Sequence, residues 1–116
     1  MAITNIIVTV RNIDSSTSII DIQGEINAFA EKDLMTAYTQ ASERGAQVII
    51  LNFEKLEYMN SSGIGLLITL LIRCNRQKQR LVAVNLKEHY RQIFELTRLN
   101  EAIQIYSNES EALAAL

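Results

Sequence analysis

A pair of serines stands directly before the most apolar segment of the chain. Asn60, Ser61, Ser62 and Gly63 precede residues 64–72, which are nearly all isoleucine or leucine. An asparagine or serine at the start of a helix accepts a hydrogen bond from a free first-turn N–H group, a contribution of about 1 kcal/mol. A serine hydroxyl can also accept a phosphoryl group, which adds about −1.5 to −2 charges at pH 7. The four residues therefore indicate either a helix cap or a site of serine phosphorylation.

Capping alone does not explain the two glycines that follow the serines, within residues 60–65, which we call the corner. Gly63 and Gly65 lie inside the predicted helix. Glycine there costs roughly 0.8–1 kcal/mol relative to alanine, so another backbone or a ligand is expected to approach closely. A phosphate on Ser62 or Ser61 would lie at a helix amino terminus, which favours an anion by about 0.3–1 kcal/mol. A partner that buries the corner would then lose affinity by about a hundredfold or more, because an unpaired buried ion costs several kcal/mol.

The segments before the corner predict two strands, a helix and a third strand. The strands are rich in β-branched residues, whereas the helix carries apolar residues three and four positions apart. Gly24 is predicted to end the second strand, Asn27 to cap the helix and Gly45 to end it. A loop is expected to lead from the third strand to the corner. The predicted segments are residues 3–12 and 17–24 for an antiparallel pair of strands, 28–44 for the helix and 47–53 for the third strand.

The segments after the corner alternate between helix and strand. The helix that starts at the corner is apolar nearly all round, so it is expected to be mostly buried, with an apolar face that would permit a homodimer. Ser107 or Asn108 is predicted to cap the last helix. The remaining predicted segments are a strand at 80–86, an amphipathic helix at 87–99 with Ile93, Phe94, Leu96 and Leu99 inward, a short strand at 102–106 and a helix at 109–116.

Strands that alternate with helices predict the α/β class. We expect a single domain over residues 1–116, with a mixed, largely parallel sheet of four to five strands and about four helices packed on it. The content of 48% hydrophobic and 21% charged residues suits one globular core.

Charge and cysteine content exclude several function classes. The net charge of −2 gives no general attraction to nucleic acid or to anionic membranes. Cys74 is the single cysteine, which excludes an internal disulfide and a cysteine-based zinc site, and no metal site is predicted. The first residues lack the basic start of a secretory signal, and no apolar stretch approaches the ~20 residues of a membrane helix. We therefore expect a cytoplasmic protein.

Two motifs resemble those of STAS domains. Gly24-Glu25-Ile26-Asn27 resembles the G-E-[LI]-D element that follows the second strand of these domains. Residues 58–65, Tyr-Met-Asn-Ser-Ser-Gly-Ile-Gly, are similar to their [FY]-[MI]-D-S-[ST]-G-[LI]-[GA] signature. The order of elements agrees along essentially the whole chain, and the length is similar to that of the bacterial anti-sigma factor antagonists.

The resemblance implies a non-enzymatic, partner-switching protein without a cofactor. In that family the unphosphorylated antagonist binds an anti-sigma factor that is itself a serine kinase, and this frees the sigma factor. The kinase phosphorylates a serine of the corner, and a serine phosphatase removes the phosphate. Carried onto this chain, Ser62 is the first candidate phosphoacceptor and Ser61 the second. The implied partner-binding residues are Gly24, Glu25, Asn27, Asn60, Ser61, Ser62, Gly63, Ile64 and Gly65.

Two alternative functions stay open. Asn27 and Asn60 stand where many STAS domains carry aspartates, and asparagine lacks the charge that could orient a kinase group, magnesium or the seryl proton. This favours a scaffold or transporter accessory subunit of the same fold that is never phosphorylated. A small hydrolase using Ser62 is the weakest alternative, because His89 is the single histidine and a seryl nucleophile needs a placed base.

Overall fold

The computed structural model describes residues 5–116, which form one sheet and the helices packed on it. The strands are β1 (Ile6–Asn12), β2 (Thr17–Ile26), β3 (Val48–Met59), β4 (Arg80–Val84) and β5 (Gln104–Tyr106). The α-helices are α1 (Glu31–Glu43), α2 (Ser61–Arg76), α3 (Glu88–Leu96) and α4 (Glu109–Ala115). Short 3-10 turns, Ala28–Ala30 and Leu99–Glu101, precede α1 and β5. Residues 3 and 4 of the predicted first strand lie outside the described residues.

The sheet has the strand order β1-β2-β3-β4-β5. β1 is antiparallel to β2, and every other neighbouring pair is parallel. This confirms the predicted mixed sheet. Successive residues of a strand point to opposite faces, and the two faces are covered differently. Ile20 belongs to the larger core with buried side chains of α1, α2 and α3, whereas Ile19 packs with Ala112 of α4.

β2 and β3 are both longer than predicted. β2 continues through Gly24 to Ile26, and β3 continues to Met59, so the predictions that Gly24 ends a strand and that a loop follows residue 53 were wrong. The ends of the two strands pair with each other, from Gln23 opposite Lys55 to Ile26 opposite Met59. Two register shifts in this stretch let the pairing continue past residues that interrupt the apolar pattern of β3.

Three helix predictions have clear outcomes. Asn27 caps the 3-10 turn rather than α1 itself, with its Oδ1 accepting from the Phe29 N–H at 2.9 Å. Asn108 caps α4, with its side chain accepting from the Glu111 N–H at 2.8 Å. Leu96 was predicted to face inward and is 85% exposed instead.

Polar groups on the second face of the sheet tie β1, β2 and α4 together. Arg11 donates two hydrogen bonds to the carboxylate of Asp21 and two to that of Glu109. Asn52 donates to the same Asp21 carboxylate at 2.7 Å. Fork-like pairing of a guanidinium with a carboxylate fixes orientation as well as distance, so this cluster holds the seven-residue α4 against the sheet. Within residues 5–116, no helix is long and apolar enough to cross a membrane.

Candidate functional site

The corner follows the end of β3 through a single connecting residue. β3 ends at Met59 and α2 begins at Ser61, so Asn60 alone joins them. Asn60 is extended, and its Oδ1 accepts a hydrogen bond from the Gly63 N–H at 2.9 Å. Its own N–H donates to the Ile26 carbonyl oxygen at 3.3 Å. The predicted cap is therefore confirmed for Asn60, whereas the alternative cap, Ser61, is the first residue of the helix.

Gly63 lets the start of α2 lie directly against the end of β2. A Cβ atom at this position would overlap the Ile26 carbonyl oxygen and would lie 2.8 Å from Met59 Cγ. Gly63 is buried as a result. The close approach predicted for this glycine is thus made by a backbone of the same chain. Gly65 differs, because apart from its own turn of the helix nothing lies within 4 Å of the place where its Cβ would be.

Gly24 has a similar role near the end of β2. Its φ of +99° is a conformation that other residues rarely adopt, and a Cβ there would overlap the Asn5 carbonyl oxygen. The Asn5 carbonyl accepts a hydrogen bond from the Glu25 N–H at 2.8 Å. Gly24 is buried, whereas Glu25 and Asn27 are half-buried beside the corner. The two motifs named from the sequence therefore meet at one end of the sheet.

The two candidate phosphoacceptors occupy the first turn of a 16-residue helix. Ser61 and Ser62 are both exposed, so their hydroxyls are accessible to another protein. The first turn of α2 carries no acidic residue. The partial positive charge of the helix amino terminus is therefore not offset by a carboxylate in its own first turn, and it favours an added dianion.

Apolar side chains that were not among the predicted site residues are exposed near the corner. Phe29, two residues after Asn27, is 57% exposed, and Tyr58, two residues before Asn60, is 53% exposed. Ile68, three residues after Gly65 on α2, is also exposed. Aromatic residues are enriched at protein–protein interfaces relative to the rest of the surface. Aromatic residues within polar segments, here 25–29 and 54–60, are the sequence signal that could have identified them.

The other residues considered from the sequence lie apart from any such arrangement. His89 is exposed on α3, and its ring packs edge-on against the Tyr90 ring at a centroid distance of 5.0 Å. Cys74 is fully buried in α2, and burial raises the pKa of its thiol to about 12. Across the region of the chain that the structure describes, no three His, Cys, Asp or Glu side chains are grouped so as to hold a metal ion.

Two proteins similar in sequence to this chain are named as anti-sigma factor antagonists. The "Anti-sigma-B factor antagonist" of Staphylococcus aureus is 24% identical over 86 residues, covering 74% of this chain and 80% of the relative. The protein of the same name from Listeria monocytogenes is 24% identical over 107 residues, covering 92% of this chain and 94% of the relative.

The fold is also found in a solved structure. The Bacillus cell fate determinant SpoIIAA in its phosphorylated form superposes with a TM-score of 0.72 at 24% identity, covering 94% of this chain and 98% of the other. The sequence model of the STAS domain matches residues 7–112, which include all of the sheet except Ile6 and all of the helices except the end of α4. The chain belongs to the STAS domain family.

Proposed function

We propose that this protein is an anti-sigma factor antagonist that acts by binding rather than by catalysis. Its unphosphorylated form binds an anti-sigma factor serine kinase through the corner, and this releases a sigma factor. Phosphorylation of Ser62 ends the binding, and a serine phosphatase restores it. The names of the relatives from Staphylococcus aureus and Listeria monocytogenes support the anti-sigma factor as the partner.

One observation carries this proposal: two exposed serines begin α2, and exposed apolar side chains flank them. The serines are accessible for modification, while Phe29 and Tyr58 supply the area that a partner protein can bury. Ser62 remains the first choice and Ser61 the second.

A phosphate at Ser62 changes the surface and leaves the fold intact. Asn60 already caps the helix through the Gly63 N–H, so the Ser62 hydroxyl is not needed for that bond. The helix amino terminus stabilises the dianion in the free protein. In the complex the same dianion would lose water among apolar side chains, and each 1.4 kcal/mol of that cost weakens binding about tenfold. Binding is expected to fall by about a hundredfold or more.

The first experiment identifies and tests the partner. The tagged protein captures its binders from native cytoplasm, mass spectrometry identifies them, and the captured anti-sigma factor is then purified. Ser62→Asp is expected to weaken its binding while the melting temperature stays nearly constant. Ser15→Asp is the matched control, since Ser15 is exposed in the turn before β2, at the opposite end of that strand from the corner. Equal binding by wild type and Ser62→Asp would refute the proposal.

The second experiment locates the phosphate. The captured kinase and ATP are incubated with wild type, Ser62→Ala and Ser61→Ala, and intact mass is measured. One phosphate on wild type and Ser61→Ala, but none on Ser62→Ala, is the expected result. A phosphate absent from all three would instead support the constitutive scaffold, which the asparagines at positions 27 and 60 favour.

A further inference from the structure

The last segment of β3, residues 53–59, lacks a neighbouring strand on one side. β4 pairs with β3 only from Val48 to Asn52, whereas β2 pairs with β3 as far as Met59. Backbone groups beyond Asn52 that point toward the β4 side therefore have no sheet partner there. Buried backbone groups are nearly always hydrogen-bonded, so another element has to provide the bonds. Met59 is the last residue of this segment and is bonded directly to the corner residue Asn60.

The start of α3 provides two of these hydrogen bonds from side chains. The Tyr90 hydroxyl accepts from the Met59 N–H at 2.9 Å, and this hydrogen bond is buried. The Lys87 ammonium donates to the Leu56 carbonyl oxygen at 2.7 Å. We call these two side chains the brace. They stand three residues apart and hold both ends of the segment from Leu56 to Met59.

Lys87 is a poor residue for its local position, which indicates a role outside the helix. It occupies the N-cap of α3 and makes no side-chain cap hydrogen bond. Lysine is not among the residues preferred at an N-cap, and a cation is unfavourable at a helix amino terminus. A residue that is unfavourable for its local secondary structure is usually compensated by a contact with a distant part of the chain. The contact with the Leu56 carbonyl is that compensation.

The position of Met59 determines the geometry of the corner in two ways. Met59 precedes Asn60, whose side chain caps α2 through the Gly63 N–H. Its side chain also packs against the buried Gly63, since a Cβ there would lie 2.8 Å from Met59 Cγ. We propose that Lys87 and Tyr90 are positioning residues that fix Met59, and through it the Asn60 cap and the presentation of Ser62. The effect on partner binding rests on the proposed function, whereas the effect on the corner does not.

Amide hydrogen exchange of the full chain tests the brace without a partner. Tyr90→Phe removes only the hydroxyl, and exchange at the Met59 and Gly63 amides is expected to speed up by about tenfold. The Ile50 amide, in the segment of β3 that pairs with β4, is expected to keep its rate. The matched control is Tyr38→Phe, because Tyr38 is as buried as Tyr90. Its hydroxyl donates to Gln79 at 2.7 Å and lies 3.3 Å from the Arg73 carbonyl oxygen, at the end of α2 opposite the corner.

The outcomes separate positioning from general stability. Faster exchange at Met59 and Gly63 in Tyr90→Phe, but not in Tyr38→Phe, supports the brace. An unchanged Gly63 rate overturns it, even if the Met59 amide exchanges faster, because the corner would then not depend on Tyr90. Lys87→Met, which keeps the length of the side chain and removes the ammonium, is expected to act in the same direction. It provides the test if Tyr90→Phe does not fold.

Dissociation from the partner provides a second measurement, which would not change for a residue that contributes only to general stability. Using the purified anti-sigma factor captured above, Tyr90→Phe is expected to dissociate about three- to tenfold faster than wild type, with Tyr38→Phe unchanged. If the two variants dissociate from the partner at the same rate, the brace acts only in the free protein, and its proposed role in presenting Ser62 to the partner is wrong. If wild type captures no anti-sigma factor, the proposed function fails while the exchange result still decides the brace.

Discussion

Alanine substitutions of Gly63 and Gly65 should have opposite effects on stability, although the two residues are two positions apart in α2. Each alanine gains about 0.8–1 kcal/mol in helix propensity. At position 65 nothing lies within 4 Å of the new Cβ, so Gly65→Ala should stabilise the protein by about that amount. At position 63 the Cβ overlaps the Ile26 carbonyl oxygen and lies only 2.8 Å from Met59 Cγ.

The cost at position 63 follows from the rigidity of those neighbours. A carbon–carbon contact is most favourable at about 3.5–4.0 Å, and a main-chain carbonyl cannot rotate away as a side chain can. Overpacking of this kind typically costs about 1–3 kcal/mol, and the backbone contact places Gly63→Ala at the upper end. After the propensity gain, a net loss of about 2 kcal/mol remains. The two variants should therefore differ by about 3 kcal/mol.

Urea unfolding followed by circular dichroism measures this difference, and thermal melts provide a check. Gly63→Ala should lower the melting temperature by about 8 °C, and Gly65→Ala should raise it by about 4 °C. Equal shifts, or a stabilised Gly63→Ala, would show that α2 does not lie against the end of β2. If Gly65→Ala is more stable yet is phosphorylated more slowly, then Gly65 is retained for access to the corner rather than for packing.

Three further predictions concern the cap, the charged cluster and α3. Asn60→Asp keeps a capping oxygen and adds a charge at the helix amino terminus, so the free energy of unfolding should rise by about 0.3–1 kcal/mol in low salt; a fall would show that the amide nitrogen is needed. Burial alone would raise the pKa of Asp21, but hydrogen bonds from Arg11 and Asn52 outweigh it and lower that pKa below its ordinary 3.8. Ionised Asp21 therefore stabilises the folded protein above pH 3.8, and this contribution is lost as the pH falls further below that value. The difference in melting temperature between wild type and Asp21→Asn should accordingly narrow as the pH is lowered through and below 3.8. Leu96→Gln should change the free energy of unfolding by less than about 0.5 kcal/mol, since Leu96 is 85% exposed; a larger loss would place Leu96 in a contact that the structure lacks.

The order of the helices and strands could be predicted from the sequence, because each of these elements has a pattern of residue types that is visible within a few residues. The β-branched segments, the helical spacing of Leu34, Tyr38 and Ala41, and the capping residues Asn60 and Asn108 all appear where expected. The family motifs also indicated that two distant segments share one site. Pairing of Ile26 with Met59 is what brings them together.

Features that depend on distant neighbours could not be predicted in the same way. The segment 54–59 contains three charged residues and reads as a loop, yet β2 pairs with it along its length. Nothing near Tyr90 in the sequence indicates that its hydroxyl bonds a backbone group 31 residues away. The error at Leu96 has a simpler cause: two residues after the buried Phe94, a helix has turned by about 200°, so Leu96 lies on the opposite face.

The single-residue link between β3 and α2 has a consequence for how fast such a regulator responds. Because Asn60 alone joins a paired strand to a capped helix, this link is too short to adopt a second conformation while the strand pairing and the cap are kept. A phosphate added there would act without waiting for a segment to refold. The rate of partner release would then be set by the enzymes that add and remove the phosphate, because no slow conformational change within the domain would have to precede it.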